Sequence, residues 1–350
     1  MIHIEAAKMP GFIAIMGQVA AAGATTLNIP DMAVNIGGHG QGFIINALSG
    51  WSPVDNQDGT IGSEMQLGDD IYLYATANPT GVADLVASKN ITAPDGYDTL
   101  NSRRIGGFHF GLWRPTSERY NKAYVPQTII VPTSVWDQNH RPTCDPSGMV
   151  EVIKGQLWAD IYLSSEDGTP WPETVPLSRY GATPLSGANG FSRFLDTPIL
   201  AANSGKRLPT VAEFFRYADG SPEGDDTNND TAWCATSNSD HAATGTVVKA
   251  VSCVGVVDAV GNLWEPTSEH YDIGSLNDSD FVDVRTDLEN GKDSSHMRGE
   301  ANIVKWRLYL VGGGKVNGSS AGARTIAANN NPVNVISSVG LRCVAPARQV

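Results

Sequence analysis

The chain has 350 residues, a formal net charge of −13 and a pI near 4.9. This length has room for two or three domains, and a content of 41% hydrophobic and 17% charged residues is typical of globular proteins. The acidic charge disfavours nucleic acid and anionic membranes as partners. No apolar stretch reaches the ~20 residues of a membrane span, and the first residues do not resemble a secretory signal. We therefore expect synthesis in the cytoplasm, without nucleic-acid binding or membrane insertion.

The composition and the short alternating segments predict a mostly β chain. Gly and Pro are frequent, with 37 and 20 residues, and few segments keep a helical period. A Pro94-Asp95-Gly96 turn and a Pro-rich connection over 125–146 separate the later strands. The predicted strands, in chain order, lie at 27–29, 42–45, 70–75, 104–110 and 156–163.

Two short helices have clear local signals. In the first, Thr197 is predicted to cap the helix, Pro198 to occupy its first position and Gly205 to end it. In the second, Thr210 and Glu213 have the spacing of a capping box.

The second helix is also predicted to be amphipathic. Val211, Phe214, Phe215 and Ala218 fall at helical spacing and form one apolar stripe, and Gly220 is the predicted terminator. Polar, acidic stretches over 222–230 and 277–295 are predicted surface loops.

Four motifs in the second half of the chain occur in the order of a known fold family. GKRLPTVAEF at 205–214, GNLWE at 261–265, the Gly312-Gly313 pair with Arg324, and GLRC at 340–343 resemble the motifs of C-type-lectin folds of the formylglycine-generating type. The resemblance implies a scaffold role for these residues.

Individual scaffold roles follow from this resemblance. Gly205 and Pro209 are expected to set the turn between the helices, and Trp264 and Trp306 to anchor a small core. We expect close backbone approach at Gly312, Gly313 and Gly340. Arg324 and Arg342 are expected to pair with acidic or carbonyl groups under the binding face.

The chain more closely resembles the phage major tropism determinants, receptor-binding tail proteins that a retroelement diversifies. The similarity begins at 70–74, continues through 93–97 and 104–109, and resumes from 145–149 to the C-terminus. It implies a mostly β protein with an α+β C-terminal domain, a C-type-lectin-like fold preceded by small antiparallel β domains.

The resemblance also implies an organisation and a set of partners. Residues 1–60 are the expected N-terminal β segment for virion attachment or trimerisation, 61–125 a small β-sandwich-like domain, and 126–350 the C-type-lectin-like receptor-binding domain. A homotrimer in the phage tail is expected to contact other tail proteins and a host cell-surface receptor, either protein or glycan. The protein would be made in the host cytoplasm and reside in the virion.

The segment from Gly312 to Gly340 aligns without a gap on the variable region of that family. Its Asn-rich alternating runs suit a face where every second side chain points outward, and Asn codons are rich in adenine, the base that such retroelements mutate. An ordinary Asn-Asn-Asn-Pro turn is the alternative. Carried over residue by residue, the binding positions are Gly314, Val316, Asn317, Gly318, Ser320, Ala327, Asn329, Asn330, Asn334, Ile336, Ser338 and Val339.

No catalytic residue, metal site or cofactor is predicted. The segment 314–339 lacks the cysteines that oxidases of the related fold require, and Asp225 and Asp226 lie in a polar loop without an apolar pocket. Asp278, Asp280 and Asp283 could offer oxygen ligands to Ca²⁺. The favoured alternative is that they belong to a solvated loop. The histidines lack metal-ligand spacing; they are His3, His39, His109, His140, His241, His270 and His296.

The four cysteines, Cys144, Cys234, Cys253 and Cys343, form no CxxC motif. Cytoplasmic synthesis favours buried thiols, and a Cys234–Cys253 disulfide remains an alternative.

The leading hypothesis is a non-enzymatic, diversified receptor-binding tail protein. A fixed structural tail-fibre protein without diversification is the alternative. An enzyme of the formylglycine-generating type is less favoured, because the cysteines are missing.

Overall fold

A computed structural model describes residues 8–38, 40–191, 195–225, 227–272, 282–283, 300–301 and 306–349, with backbone only at 271, 272, 282, 283, 300, 301 and 306. The chain forms two compact units. The first contains residues 1–113, 127–156 and 346–350, and the second contains 114–126 and 157–345. The predicted boundaries near residues 60 and 125 divide the chain differently and stay predictions.

The first unit is built from short antiparallel strands. The strands are β1 Ile13–Ile15, β2 Ala20–Ala21, β3 Leu27–Ile29, β4 Met32–Asn35, β5 Gly42–Ile45, β6 Leu48–Trp51, β7 Asp69–Thr76, β8 Asp84–Ser88, β9 Ser102–Trp113, β10 Gln127–Ile130, β11 Trp136–Asp137 and β12 Met149–Ile153. Within the described residues of this unit, three sheets have the strand orders β1-β4-β5, β2-β3-β6 and β10-β9-β7-β8, and β11 adds to β9 in the last.

The strands predicted at 27–29, 42–45, 70–75 and 104–110 are confirmed as β3, β5, β7 and β9. The prediction that 125–146 only connects domains is wrong. This stretch supplies β10 and β11, and both pair antiparallel with β9. The prolines did not exclude these strands, because each strand lies between the prolines.

One apolar cluster forms the core of the first unit. Leu27, Val34 and Ile71 are each completely buried in it. Burial of aliphatic side chains at ~25 cal/mol per Å² is the main term that holds such sheets together.

In its described residues, the second unit combines short strands with two α-helices. The sheet order β16-β19-β20 is antiparallel, β14 pairs with β15, β17 with β18, and β13 with β21. Among the described residues, 3₁₀ turns lie at Thr116–Glu118, Pro132–Ser134, Gly187–Asn189 and Gly318–Ser320. The remaining elements are β13 Leu157–Asp160, β14 Ser164–Ser165, β15 Leu177–Ser178, α1 Thr197–Asn203, α2 Val211–Tyr217, β16 Glu265–Asp272, β17 Val282–Asp283, β18 Glu300–Ala301, β19 Trp306–Val311, β20 Ile326–Asn330 and β21 Val344–Pro346.

The strand predicted at 156–163 is shorter in the structure, because β13 ends at Asp160. Helix α1 also begins differently from the prediction. Asp196 is its N-cap residue, Thr197 is its first helical residue, and Pro198 therefore follows as the second. The side chain of Thr197, which was predicted to cap the helix, is instead buried in the packed interior. The helix ends before Gly205, as predicted.

Helix α2 confirms the predicted capping box. The Thr210 hydroxyl accepts from the Glu213 N–H at 3.2 Å, and the Glu213 carboxylate accepts from the Thr210 N–H at 2.8 Å. The predicted apolar stripe is partly wrong. Phe214, Tyr217 and Ala218 are completely buried, whereas Val211 and Phe215 are only partly buried. Tyr217 was not part of the predicted stripe, because it lies six positions after Val211 and outside the i, i+3, i+4, i+7 spacing.

Candidate functional site

The predicted binding positions lie on three connected pieces of the second unit. These are the loop and 3₁₀ turn over 314–320, strand β20, and the segment 331–339. Nine of the twelve positions keep exposed surface. Val316, Ser320 and Asn329 are exposed; Asn317, Gly318, Ala327, Asn330, Ile336 and Ser338 are partly exposed; Gly314, Asn334 and Val339 are buried. We call the nine positions with exposed surface the variable face.

Strand β20 supplies the centre of the variable face. It is the outer strand of the sheet β16-β19-β20 and pairs only with β19 among the described strands. Leu310 of β19 faces Ala327 in register, and Leu308 faces Asn330, with an irregularity between them. Along β20 the exposed side chains are Ile326 and Asn329, and the other three are partly exposed, so exposure does not follow the strict alternation expected from the sequence.

An apolar cluster lies directly beneath this strand. Leu308, Leu310 and Val339 are buried in it, and Trp264, Ala327 and Ile336 pack against it. Hence three predicted binding positions also contact the core. Trp264 acts as the predicted anchor, whereas the side chain of Trp306 lies outside the described residues.

Backbone contacts hold the segment 331–339 in place. The Trp264 N–H donates to the Ser338 carbonyl at 2.9 Å, and the Gly187 N–H donates to the Val339 carbonyl at 3.0 Å. A Cβ on Gly187 would lie 2.3 Å from the Ile336 carbonyl oxygen, so a side chain is excluded there. Gly187 was not predicted, since no local pattern links it to residues about 150 positions away.

Two buried glycines, Gly312 and Gly314, hold the start of the loop over 314–320 in place. Gly312 has a φ of +86°, and a Cβ there would lie 2.4 Å from the Ala259 carbonyl oxygen. The buried Gly314 donates its N–H to Oδ1 of Asn317 at 2.8 Å. The close approach predicted at Gly312 is confirmed.

Lys315 links the face to a segment that the sequence did not indicate. Its Nζ donates to the Ser239 carbonyl at 2.9 Å and lies 3.7 Å from Oδ1 of Asp240. The Lys315 carbonyl in turn accepts from the Asn238 N–H at 3.2 Å. Residues 238–240 therefore lie beside 314–320, and no motif could place them there.

Arg324 and Arg342 both pair with carbonyl groups, as predicted. The exposed Arg324 donates to the Phe215 carbonyl at 3.0 Å, and its guanidinium lies 4.9 Å from the centre of the Phe215 ring. The completely buried Arg342 donates to three carbonyl oxygens, those of Asp160, Ile161 and Val257, at 2.7 to 3.1 Å.

A buried ionic network surrounds Arg342. Its Nε lies 2.9 Å from Oε1 of Glu265, whose other oxygen accepts from the Tyr217 hydroxyl at 2.6 Å. Lys206 and Asp160 form a second buried pair at 2.6 Å. Burial raises the pKa of Glu265 and of Asp160, against the lowering effect of these cations. Because the network is enclosed, it serves the scaffold and offers no surface to a ligand.

All four cysteines are thiols rather than disulfides, so the alternative Cys234–Cys253 bridge is not formed. Cys234, Cys253 and Cys343 are buried, while Cys144 is partly exposed. Burial raises the pKa of Cys234 to about 11, which disfavours a reactive thiolate.

The other histidines and aspartates considered in the sequence either contact neighbouring side chains or lie outside the described residues. His109 contacts Asp70 at 2.9 Å, and Lys122 pairs with Asp225. Asp226, His3, His39 and His296 lie outside the described residues, as do Asp278 and Asp280 and the side chain of Asp283. In the described part of the chain, no group of three or more His, Cys, Asp or Glu residues is arranged to hold a metal ion. No helix there is long and apolar enough to cross a bilayer.

Comparisons with known proteins connect this architecture to one family. A family model described as the Mtd second domain matches residues 18–137. The tail fiber receptor-binding protein of Bordetella phage BPP-1 is 32% identical over 212 residues, which cover 56% of this chain and 53% of that protein. The chain thus spans about half the length of this curated relative.

Solved structures show the same fold. The Major Tropism Determinant P3c variant superposes with a TM-score of 0.73 at 22% identity, covering 98% of this chain and 87% of that one. The U1 variant gives a TM-score of 0.71 at 22% identity, covering 96% and 84%. The predicted resemblance is confirmed, and so is the fold class, mostly β with a C-type-lectin-like C-terminal part.

Proposed function

We propose that this chain is a receptor-binding protein of a phage tail, which binds a host cell-surface molecule through the variable face. One structural observation carries the proposal. The nine positions with exposed surface lie on a backbone whose fixed contacts come from other residues, such as Trp264 and Gly187. The exposed side chains of Val316, Ser320 and Asn329 can change without altering the fold, as a diversified binding site requires. Ala327 and Ile336 also pack against the core, and Oδ1 of Asn317 accepts a backbone hydrogen bond, so these positions are more restricted. The similarity to a tail fiber receptor-binding protein supports the same function.

The composition of the face indicates weak binding at each site. It contains mainly Asn, Ser, Gly and small apolar residues, whereas strong interfaces are anchored by Tyr, Trp or Arg. We propose that the protein is a homotrimer attached to other tail proteins in the virion, since several faces binding together raise the overall affinity. Analytical ultracentrifugation of the full chain tests the trimer.

Binding to intact cells of the bacterium on which the phage grows tests the function. We expect Val316→Asp to abolish cell binding by labelled protein, because Val316 is 58% exposed on the variable face. Val248→Asp is the matched control, at a valine of the same unit that is 48% exposed outside the predicted positions. Equal binding by both variants and the wild type would remove the variable face as the receptor site.

Diversification is tested separately, by sequencing codons 312–343 across a phage population together with the neighbouring DNA. Substitutions confined to adenines of a nearby near-copy, at the predicted positions, support a diversified binder. An invariant segment without a near-copy supports the alternative, a fixed tail-fibre protein of the same fold. We propose no enzymatic activity, cofactor or nucleic-acid partner for either form.

A further inference from the structure

A cavity of about 420 Å³ in the first unit concentrates positive charge in an otherwise acidic protein. Arg141, Lys154 and Arg348 line it, and Glu151 is its one acidic lining residue. His140 also lines the cavity, but its ring contacts the buried carboxylate of Asp137 at 2.9 Å. The charged side chains of the lining alone sum to +2, and the carboxylates of Asp137 and Asp145 lie next to His140 and Arg141.

The cations are held close together by the backbone. The Arg348 N–H donates to the Arg141 carbonyl at 2.8 Å, and the Ala347 N–H donates to the Gln156 carbonyl at 2.9 Å. The carboxylate of Glu151 accepts from the Gly155 N–H at 2.7 Å and so serves the local turn. The backbone hydrogen bond therefore places Arg141 and Arg348 side by side.

Within the part of the chain that the structure describes, these cations have few of the hydrogen-bond partners that such groups normally have. Nε of Arg141 is buried and has no hydrogen-bond partner in the structure, although a buried donor left unpaired costs ~1–3 kcal/mol. Burial and, next, the neighbouring charge of Arg348 lower the pKa of Arg141. Among the described residues, Arg348 makes one side-chain hydrogen bond, a long one of 3.4 Å to the Gln138 carbonyl.

We propose that this cavity binds the phosphate group of a phosphate monoester. A phosphate monoester carries a charge of roughly −1.5 to −2 near neutral pH and several acceptor oxygens, which matches the formal charge of +2 and the unpaired Arg141 donor. A guanidinium group can donate two parallel hydrogen bonds to two oxygens of one phosphate group. The cavity also has the volume of small-molecule sites, so there is room for the organic part of an ester.

The test is calorimetric titration of the full chain with glucose 1-phosphate, inorganic phosphate and glucose. We expect both phosphates to bind, the ester more tightly, and glucose not to bind. Equal affinities for glucose 1-phosphate and inorganic phosphate would contradict the proposal of an ester ligand and would assign the cavity to free phosphate. The absence of binding by either phosphate would overturn the site itself.

Variants separate this site from general electrostatics. Lys154→Gln with Arg348→Gln removes two exposed cations and should weaken phosphate binding at least about tenfold. Lys8→Gln with Arg216→Gln removes the same charge at exposed positions outside the cavity and should leave binding unchanged. Equal losses in the two double variants would overturn the site. Val316→Asp should bind phosphate like the wild type, so a failed phosphate test and a failed cell-binding test remain distinguishable.

Discussion

Arg342 and Glu265 form an ion pair at 2.9 Å in which both side chains are completely inaccessible to solvent. They are 77 residues apart in the chain, and the pair joins strand β16 to the segment leading into β21. Since a buried charge is tolerated only with a partner and further hydrogen bonds, the three carbonyl groups around Arg342 and the Tyr217 hydroxyl on Glu265 are part of the same arrangement.

Arg342→Met is expected to lower the free energy of unfolding by about 3–5 kcal/mol, because Glu265 would be left buried without a cation. Urea denaturation measures the change. The double variant Glu265→Gln with Arg342→Met should recover part of the loss, as expected for directly coupled groups. Arg119→Gln, in the partly exposed pair with Asp219, is the control and should cost much less, because solvent screens that pair. A similar cost for Arg342→Met and Arg119→Gln would contradict the role of the buried pair.

Asp258 predicts a specific pH dependence of stability. Burial raises its pKa from 3.8 to about 6, against the opposing hydrogen bond from the Gly245 N–H. Between these pH values the folded protein holds a proton that the unfolded chain has lost. The contribution of Asp258 to stability therefore falls as pH rises through this window and stays low above it.

Asp258→Asn should remove this pH dependence. Asn tolerates the φ of +57° at this position. The stability of the variant relative to the wild type should rise by up to about 3 kcal/mol between acidic and neutral pH, as measured by urea denaturation at a series of pH values. Asp55→Asn, at an exposed position, controls for the loss of one negative charge. Parallel curves for Asp258→Asn and the wild type would refute this prediction.

The capping box of helix α2 predicts a moderate stability change. Thr210→Ala removes the acceptor of the Glu213 N–H and should lower the free energy of unfolding by about 1 kcal/mol. Thr210→Ser keeps a hydroxyl acceptor and should be close to the wild type. Thermal melting distinguishes the two variants, and an equal loss in both would show that the hydroxyl does not matter.

Gly187 predicts a link between the scaffold and the variable face. Gly187→Ala places a methyl group where only 2.3 Å separates it from the Ile336 carbonyl oxygen, so it should destabilise the protein by about 1–3 kcal/mol and weaken cell binding. Gly322→Ala is the matched control, since its Cβ would meet neighbours at an ordinary 3.5 Å. A Gly187→Ala protein with unchanged melting and unchanged cell binding would show that the segment 331–339 can move freely.

Local features were predictable from sequence because they depend on neighbours along the chain. The capping box of Thr210 and Glu213, the end of α1 before Gly205 and the strands β3, β5, β7 and β9 all follow from residue types at short spacing. The motifs between 205 and 343 predicted the fold class, since their order along the chain is typical of one family and no knowledge of spatial contacts is needed to see it.

The tertiary structure alone decided which residues meet across long separations. Nine of the twelve predicted positions keep exposed surface and three are buried. This division could not be read from the sequence, because Val339 packs against residues of β19 and Trp264, which are distant in the chain. The pairing of Arg342 with Glu265, the contact of Gly187 with Ile336 and the placing of Arg141 beside Arg348 likewise join distant parts of the chain. Spacing along a sequence determines local hydrogen bonds, whereas burial depends on every element that packs against a residue.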